Sequence, residues 1–371
     1  MAKCAMFRSC ILALAAMLPS PSMAQPDDEV ADTEEARQFE QFLRDFAEQR
    51  SAPALAAMVL HKGRPVASAM LGYFDDEGEL PTTEQTVFGI ASVTKPITAA
   101  AMLRGADAGL LSLDTPLKAH PGFDGLCAWL GSSEIPFGGG ATTADGSTIA
   151  PVACDRELTV RDALNMRVNG TGERYVYNPI IYARIDRALE SAGLASFRDM
   201  VRQQAVLPAG MEHTALGRRD PESGQALQRL AEPFRLEQGR LVKASLPDDD
   251  FRAAAGIYTS VEQLARFDRA VDGGLIPQPY SEEIFKKPVG PDGDYRWGWH
   301  VQNWQGMRLV WHSGWEPEKY SALYLKVPDR SLTLIVLANT EAIWWGNPLN
   351  RTQVENSAIA AEFLRLYAKG K

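Results

Sequence analysis

The stretch 88–100, "FGIASVTKPITAA", sets Ser92 and Lys95 three residues apart, after an apolar run and directly ahead of Pro96. Two readings fit it. In the first, Ser92 caps a helix, Pro96 sits in its tolerated first turn, and "ITAAAMLRGADAGL" (97–110) is the amphipathic body. In the second, the same first turn puts Lys95 on one face with Ser92, where an amine can take the hydroxyl proton and leave a nucleophile. The two are compatible. A helix N-terminus favours a developing negative charge, and the backbone N–H of Ser92 supplies one half of an oxyanion hole.

Around this stretch the chain alternates in a way that suggests its layers. Residues 31–50, "ADTEEARQFEQFLRDFAEQR", carry apolar positions at helical spacing, and 53–74 read as two strands about the turn Lys62-Gly63. Helical patterns return at 158–166, 180–193, 196–211 and 260–271. Strand patterns then fill 295–304, 307–315, 320–328 and 331–340, before a last helix in 353–370. Strands near both ends with helices between them predict an α/β (α+β) fold, one antiparallel sheet flanked by helices with an inserted all-helical lobe. The sheet lobe takes about 38–103 and 251–371, the helical lobe about 104–250. Within the latter, 120–155 is Gly-, Ser- and Thr-rich and reads as a long loop insertion.

The chain has 371 residues, 45% of them hydrophobic, enough for one large domain or two closely packed lobes. Residues 1–24 have Lys3 and Arg8, the apolar run "ILALAAML" and the small-residue site Ser22-Met23-Ala24, an export-signal pattern too short to span a membrane. The expected mature chain is 25–371, soluble, and periplasmic or extracellular. Removing Lys3 and Arg8 takes the formal charge from −9 to −11. Such an acidic chain without a basic patch is no partner for nucleic acid, and nothing predicts stable membrane insertion. Of the four cysteines only Cys127 and Cys154 remain after processing. In an oxidising compartment they suggest one disulfide tethering the 120–155 loop, with two free thiols as the alternative. No metal-ligand spacing occurs, so no metal site is expected.

From "FGIASVTKPITAAAMLRGADAGLLSLDTPL" (88–117) onward, the chain resembles the serine beta-lactamase and penicillin-binding-protein superfamily, most closely the class C beta-lactamase-related hydrolases, which include esterases and D,D-peptidases. "ELTVRDALNM" (157–166), "LPAGMEHTAL" (207–216), "AAAGIYTSVEQLARF" (253–267) and "WHSGWEPEKYSALYLKVPDRSLTLIVLANTE" (311–341) continue the likeness in order, from about residue 38 to 367. The resemblance implies a beta-lactamase/transpeptidase-like fold and an acyl-enzyme at Ser92, with Lys95 and a tyrosine as the base network and no metal or organic cofactor. The family's Tyr-x-Asn has no counterpart here. In "GERYVYNPIIYARI" (172–185) the aromatic spacing puts the tyrosine at Tyr177 rather than Tyr175, and Pro179 stands in place of the asparagine. Proline cannot hydrogen-bond a substrate amide.

The third motif falls on His312-Ser313-Gly314, where His312 is expected to bind substrate, Gly314 to let it lie along the strand, and the Trp315 N–H to complete the oxyanion hole. His61-Lys62-Gly63 repeats the pattern in a hairpin turn and reads as structural, as do His120, His213 and His300. Whether Lys95 or Tyr177 takes the proton stays open. The expected partner is a small-molecule or peptide substrate, most simply an ester. The alternatives are a D-Ala-D-Ala carboxypeptidase or beta-lactamase, and a weakly catalytic protein that binds cell-wall fragments or peptides.

Overall fold

The computed structural model describes residues 33–368, apart from 134, 143–145 and 247–250. The candidate export signal at 1–24 lies outside the described residues. The first helix, α1 (Glu34–Gln49), starts where Thr33 accepts a hydrogen bond from the Ala36 N–H. Its buried face is Phe39, Leu43 and Ala47, four residues apart. β1 (Ala54–His61) and β2 (Arg64–Gly72) follow as a hairpin. Lys62 and Gly63, at φ of 52° and 73°, give the two positive φ angles of a tight hairpin turn. The His61-Lys62-Gly63 repeat is therefore a turn.

β3 (Phe88–Gly89) leads into a 3₁₀ turn, Ala91–Val93, and α2 (Thr94–Asp107). The helical lobe holds α3 (Phe123–Ser132), α4 (Val160–Leu164), α5 (Pro179–Tyr182), α6 (Ile185–Ser191) and α7 (Phe197–Val201). The chain returns through β4 (Ala215–Leu216), a small hairpin of β5 (Phe234–Glu237) and β6 (Arg240–Lys243), β7 (Ile257–Thr259), α8 (Val261–Asp272) and α9 (Gln278–Phe285). It then lays down β8 (Asp294–Arg296), β9 (Trp299–Trp304), β10 (Met307–Glu316), β11 (Tyr320–Val327) and β12 (Leu332–Ala338), and ends in α10 (Ala358–Phe363). No helix among the described residues is long and apolar enough to cross a membrane.

The main sheet has seven strands in the order β2-β1-β12-β11-β10-β9-β8, paired antiparallel throughout. Its two faces explain the composition of β1. Ala54, Ala56, Met58 and Leu60 face the helical lobe, while Leu55, Ala57 and Val59 face α1 and α10. A strand covered on both sides loses the usual apolar–polar alternation, and β1 is buried from Ala54 to Leu60.

Two expectations need correction. The helix after Ser92 is not amphipathic, because Thr94 to Leu103 are buried all round. The stretch 120–155 is not loop throughout. Its first part is α3, and Cys127 lies in that helix, disulfide-bonded to Cys154 across a separation of 27 residues. Closing a loop of that length removes unfolded-state entropy equivalent to about 3 to 4 kcal/mol. Reduction should therefore lower the urea midpoint of unfolding, and Cys127→Ala/Cys154→Ala should show the same midpoint with or without reductant.

Candidate active site

Ser92 is not a helix cap. It lies in the 3₁₀ turn ahead of α2, whose N-cap position is Val93. The preceding Ala91 adopts φ of 44°, a left-handed conformation that L side chains rarely accept and that marks local strain. Lys95, one turn on, is completely buried. Its Nζ donates to Ser92 Oγ at 2.8 Å and to the Ala254 carbonyl at 2.9 Å. Burial holds the amine well below its ordinary pKa of 10.5. Among the described residues no carboxylate is paired with it to offset that burial, which favours the neutral form over the charged one.

Tyr177 joins this pair, with Lys95 Nζ 5.1 Å from its ring centroid. Burial pushes its phenol above the ordinary value, and a hydrogen bond with Ser92 opposes the shift only in part. Tyr175, the other candidate, is buried against Tyr295 and His300, its hydroxyl has no hydrogen-bond partner among the described residues, and it does not line the cleft. Tyr182 holds the helix start instead, its hydroxyl donating to the Lys95 carbonyl at 3.3 Å. The site thus brings together a hydroxyl, a desolvated amine and a neutral phenol, groups suited to moving a proton off a serine.

The third motif is split between two jobs. Ser313 and Trp315 line the cleft with Ser92, Lys95 and Tyr177. His312 does not. Its Nε2 lies 3.0 Å from the Tyr295 hydroxyl, its Nδ1 lies 2.7 Å from the Ser313 carbonyl, and burial holds its pKa well below 6.5. It packs 5.8 Å from the Tyr177 ring, so it supports the tyrosine rather than facing substrate. Gly314 also serves assembly. A Cβ there would stand 2.2 Å from the Ile90 carbonyl oxygen, so only glycine lets β10 approach the turn that carries Ser92. Gly298 does the same for α2, since its Cβ would meet the Lys95 carbonyl at 2.9 Å. Beyond Trp311, β10 pairs with β11 alone, which leaves the other edge of 312–316 without a partner strand.

Several cleft residues escaped the sequence reading. His300 stacks between Trp311 at 4.2 Å and Tyr177 at 5.5 Å, and burial above all pulls its pKa down to about 3. A neutral imidazole there is a flat shelf for Tyr177. Trp344, Asn347 and Leu349 arrive from the segment after β12, and the Tyr177 N–H donates to the Leu349 carbonyl at 2.6 Å. The adjacent tryptophans of "EAIWWGNPLN" (341–350), outside any helix or strand period, were the available cue. Trp344 stacks on the half-exposed Trp315, with centroids 5.2 Å apart and planes 6° from parallel. From the 120–155 segment comes Phe137, whose carbonyl accepts from Asn178 and Asn169. Asn178 therefore anchors this wall, and Pro179, its neighbour, lines the cleft.

The cleft encloses about 470 Å³, and its wall is largely apolar. Gly314→Ala is expected to displace Ser92 and lower kcat by about 10²-fold while the fold persists. Steady-state kinetics with an ester and circular dichroism check both halves of that expectation.

The family model "Beta-lactamase" matches residues 39–353. Penicillin-binding protein 4* of Bacillus subtilis is 26% identical over 296 residues, covering 73% of this chain and 64% of that protein. Esterase EstB of Burkholderia gladioli is 42% identical over 79 residues, 21% of this chain and 19% of the esterase. The chain thus spans less than two thirds of the length of these curated relatives. Among solved structures, the octameric penicillin-binding protein homologue from Pyrococcus abyssi aligns with a TM-score of 0.66 at 21% identity, over 89% of this chain and 77% of that one, and shares its fold. The chain belongs to the Beta-lactamase family, whose members are serine hydrolases that work through an acyl-enzyme.

Proposed function

We propose that this chain is a serine hydrolase acting on small acyl esters, with Ser92 as nucleophile and neutral Lys95 as general base. The observation that carries the reading is the 2.8 Å contact between Ser92 Oγ and a fully buried, uncompensated Lys95. Ser92 Oγ adds to the ester carbonyl carbon as its proton passes to Lys95 Nζ. The oxyanion is held by the N–H groups of Ser92 and Trp315. The carbon–oxygen bond to the alcohol then breaks, and the alcohol leaves with the proton, relayed through the Tyr177 hydroxyl. Water attacks the acyl-enzyme by the same path and frees the acid. Tyr177 works as a neutral phenol, since its environment disfavours the phenolate.

An ester suits this site better than an amide or a lactam. Pro179 offers no hydrogen bond where the resembling enzymes use an amide side chain, and His312 is turned away from the cleft. Each lost contact of that kind weakens transition-state binding by about 1 to 3 kcal/mol. The partial likeness to an esterase supports the same choice. We also read residues 1–24 as an export signal, which agrees with the disulfide at Cys127. The hydrolase then works outside the cytoplasm, and mass spectrometry of the mature N-terminus, expected at Gln25, checks this.

Ser92→Ala should abolish p-nitrophenyl butyrate hydrolysis and fluorophosphonate labelling with its circular dichroism unchanged; undiminished turnover would sink the assignment. Wild-type kcat/KM should exceed that for nitrocefin, and a higher value for nitrocefin would restore the beta-lactamase reading. The pH profile follows from the direction of the Lys95 shift. The base is active only when unprotonated, so kcat/KM should rise with pH through the lowered pKa and reach its plateau well before 10.5. No second rise should come from Tyr177, whose pKa is shifted upward. The same sign holds for stability: between the folded and unfolded pKa values of Lys95 the unfolded chain binds more protons, so this residue's contribution grows more favourable as pH rises.

A further inference from the structure

One wall of the cleft carries a charge that the ester chemistry does not use. Arg184 and Arg252 both line it. Arg252 is committed to the protein, with its Nε and Nη2 on the two Asp186 oxygens and its Nη2 also donating to the Ala183 carbonyl at 2.8 Å. Arg184 is half-buried, and among the described residues its guanidinium has no hydrogen-bond or ion-pair partner. Desolvation lowers its pKa, and the positive charges of Arg252 and Arg187 lower it further, with Asp186 acting against them. Among the described residues, the charges that act on Arg184 are two arginines and one aspartate, so the local balance there is positive in a chain of net charge −9. The neighbouring lining is apolar, with Pro179, Ile180, Ala183, Ala254 and Leu349 among it.

We propose that Arg184 is a specificity-determining residue and that the preferred ester carries a carboxylate joined to its scissile group by an apolar body. A planar fork of donors, partly desolvated and with no ion-pair partner among the described residues, is matched by the two oxygens of a carboxylate. The apolar wall accepts the intervening carbons, and the anion relieves the mutual repulsion of Arg184 and Arg252. This inference rests on the hydrolase reading and adds the substrate class to it.

Two ester pairs test it, each a carboxylate against its methyl ester. Mono-p-nitrophenyl adipate places the charge on the acyl side, and 4-butyryloxybenzoate places it on the alcohol side. Each enzymatic rate is divided by the buffer hydrolysis rate of the same ester. In at least one pair the wild type should favour the anion about tenfold or more. That ratio should collapse toward one in Arg184→Gln, survive in part in Arg184→Lys, and persist in Arg187→Gln, which alters an exposed neighbour outside the cleft lining. Equal kcat/KM within both pairs for the wild type, or a preference that Arg184→Gln leaves intact, overturns the anion site. Fluorophosphonate labelling of the wild type separates the two levels of failure. Labelled protein without an anion preference unseats Arg184 alone, whereas unlabelled protein unseats the hydrolase itself.

Discussion

A primary amine buried without a counter-ion is the constraint to which the other parts of this molecule answer. Lys95 is fully enclosed, and its Nζ has two neutral acceptors, Ser92 Oγ and the Ala254 carbonyl. An unpaired ammonium in such a place is costly, and that cost holds the pKa of the amine well below its ordinary value. Enclosure requires that α2 be walled in on every side. The wall needs backbone to come unusually close at two points, which is why Gly298 faces the Lys95 carbonyl and Gly314 faces the Ile90 carbonyl. The aromatic stack of Trp311, His300 and Tyr177 closes the remaining side with groups that stay neutral. The environment of Ser92 is thus a property of packing density as much as of the serine–lysine spacing.

Two adjacent residues, Asn178 and Pro179, divide the work at one wall of the cleft. With proline at 179, the neighbouring Asn178 does not face the cleft, and its amide instead bridges the Phe137 carbonyl and Asn169. The segment between the two cysteines is thereby tied to the irregular segment that bears Tyr177, and it contributes an aromatic wall. The apolar character of the pocket and the loss of a polar contact have one local cause.

Much of this was legible in the sequence, and the gaps have physical reasons. The hairpin about Lys62-Gly63, the helix at 260–271 and the strands from 307 to 340 follow from period and turn chemistry, which are local. The serine, lysine and Tyr177 sit together as their spacing implies, though their catalytic roles are proposals. What was not legible is directional. A strand pattern does not tell which way His312 points, and the structure turns it toward Tyr295. Nor does composition distinguish a glycine-rich loop from one that begins with a helix, as 123–132 does. Trp344 and Asn347 lie outside any regular period, and Arg184 lies within a helical one that does not mark it. Only tertiary folding brings the three to the cleft of Ser92.

The order of strands in the sheet has a consequence for how the protein comes into being. β1 is hydrogen-bonded along its length to β12, with Leu55 opposite Ala338 and His61 opposite Leu332. The turn bearing Ser92 packs on β10, more than two hundred residues downstream. During synthesis the amino-terminal strands therefore wait for nearly the whole chain before their central partner exists, and contacts of such separation form late and slowly. Until then Lys95 stands in water, fully protonated, and Ser92 is an ordinary alcohol. The burial of Lys95 and its contacts with Ser92 and Ala254 therefore belong to the assembled sheet and not to any local segment of the chain.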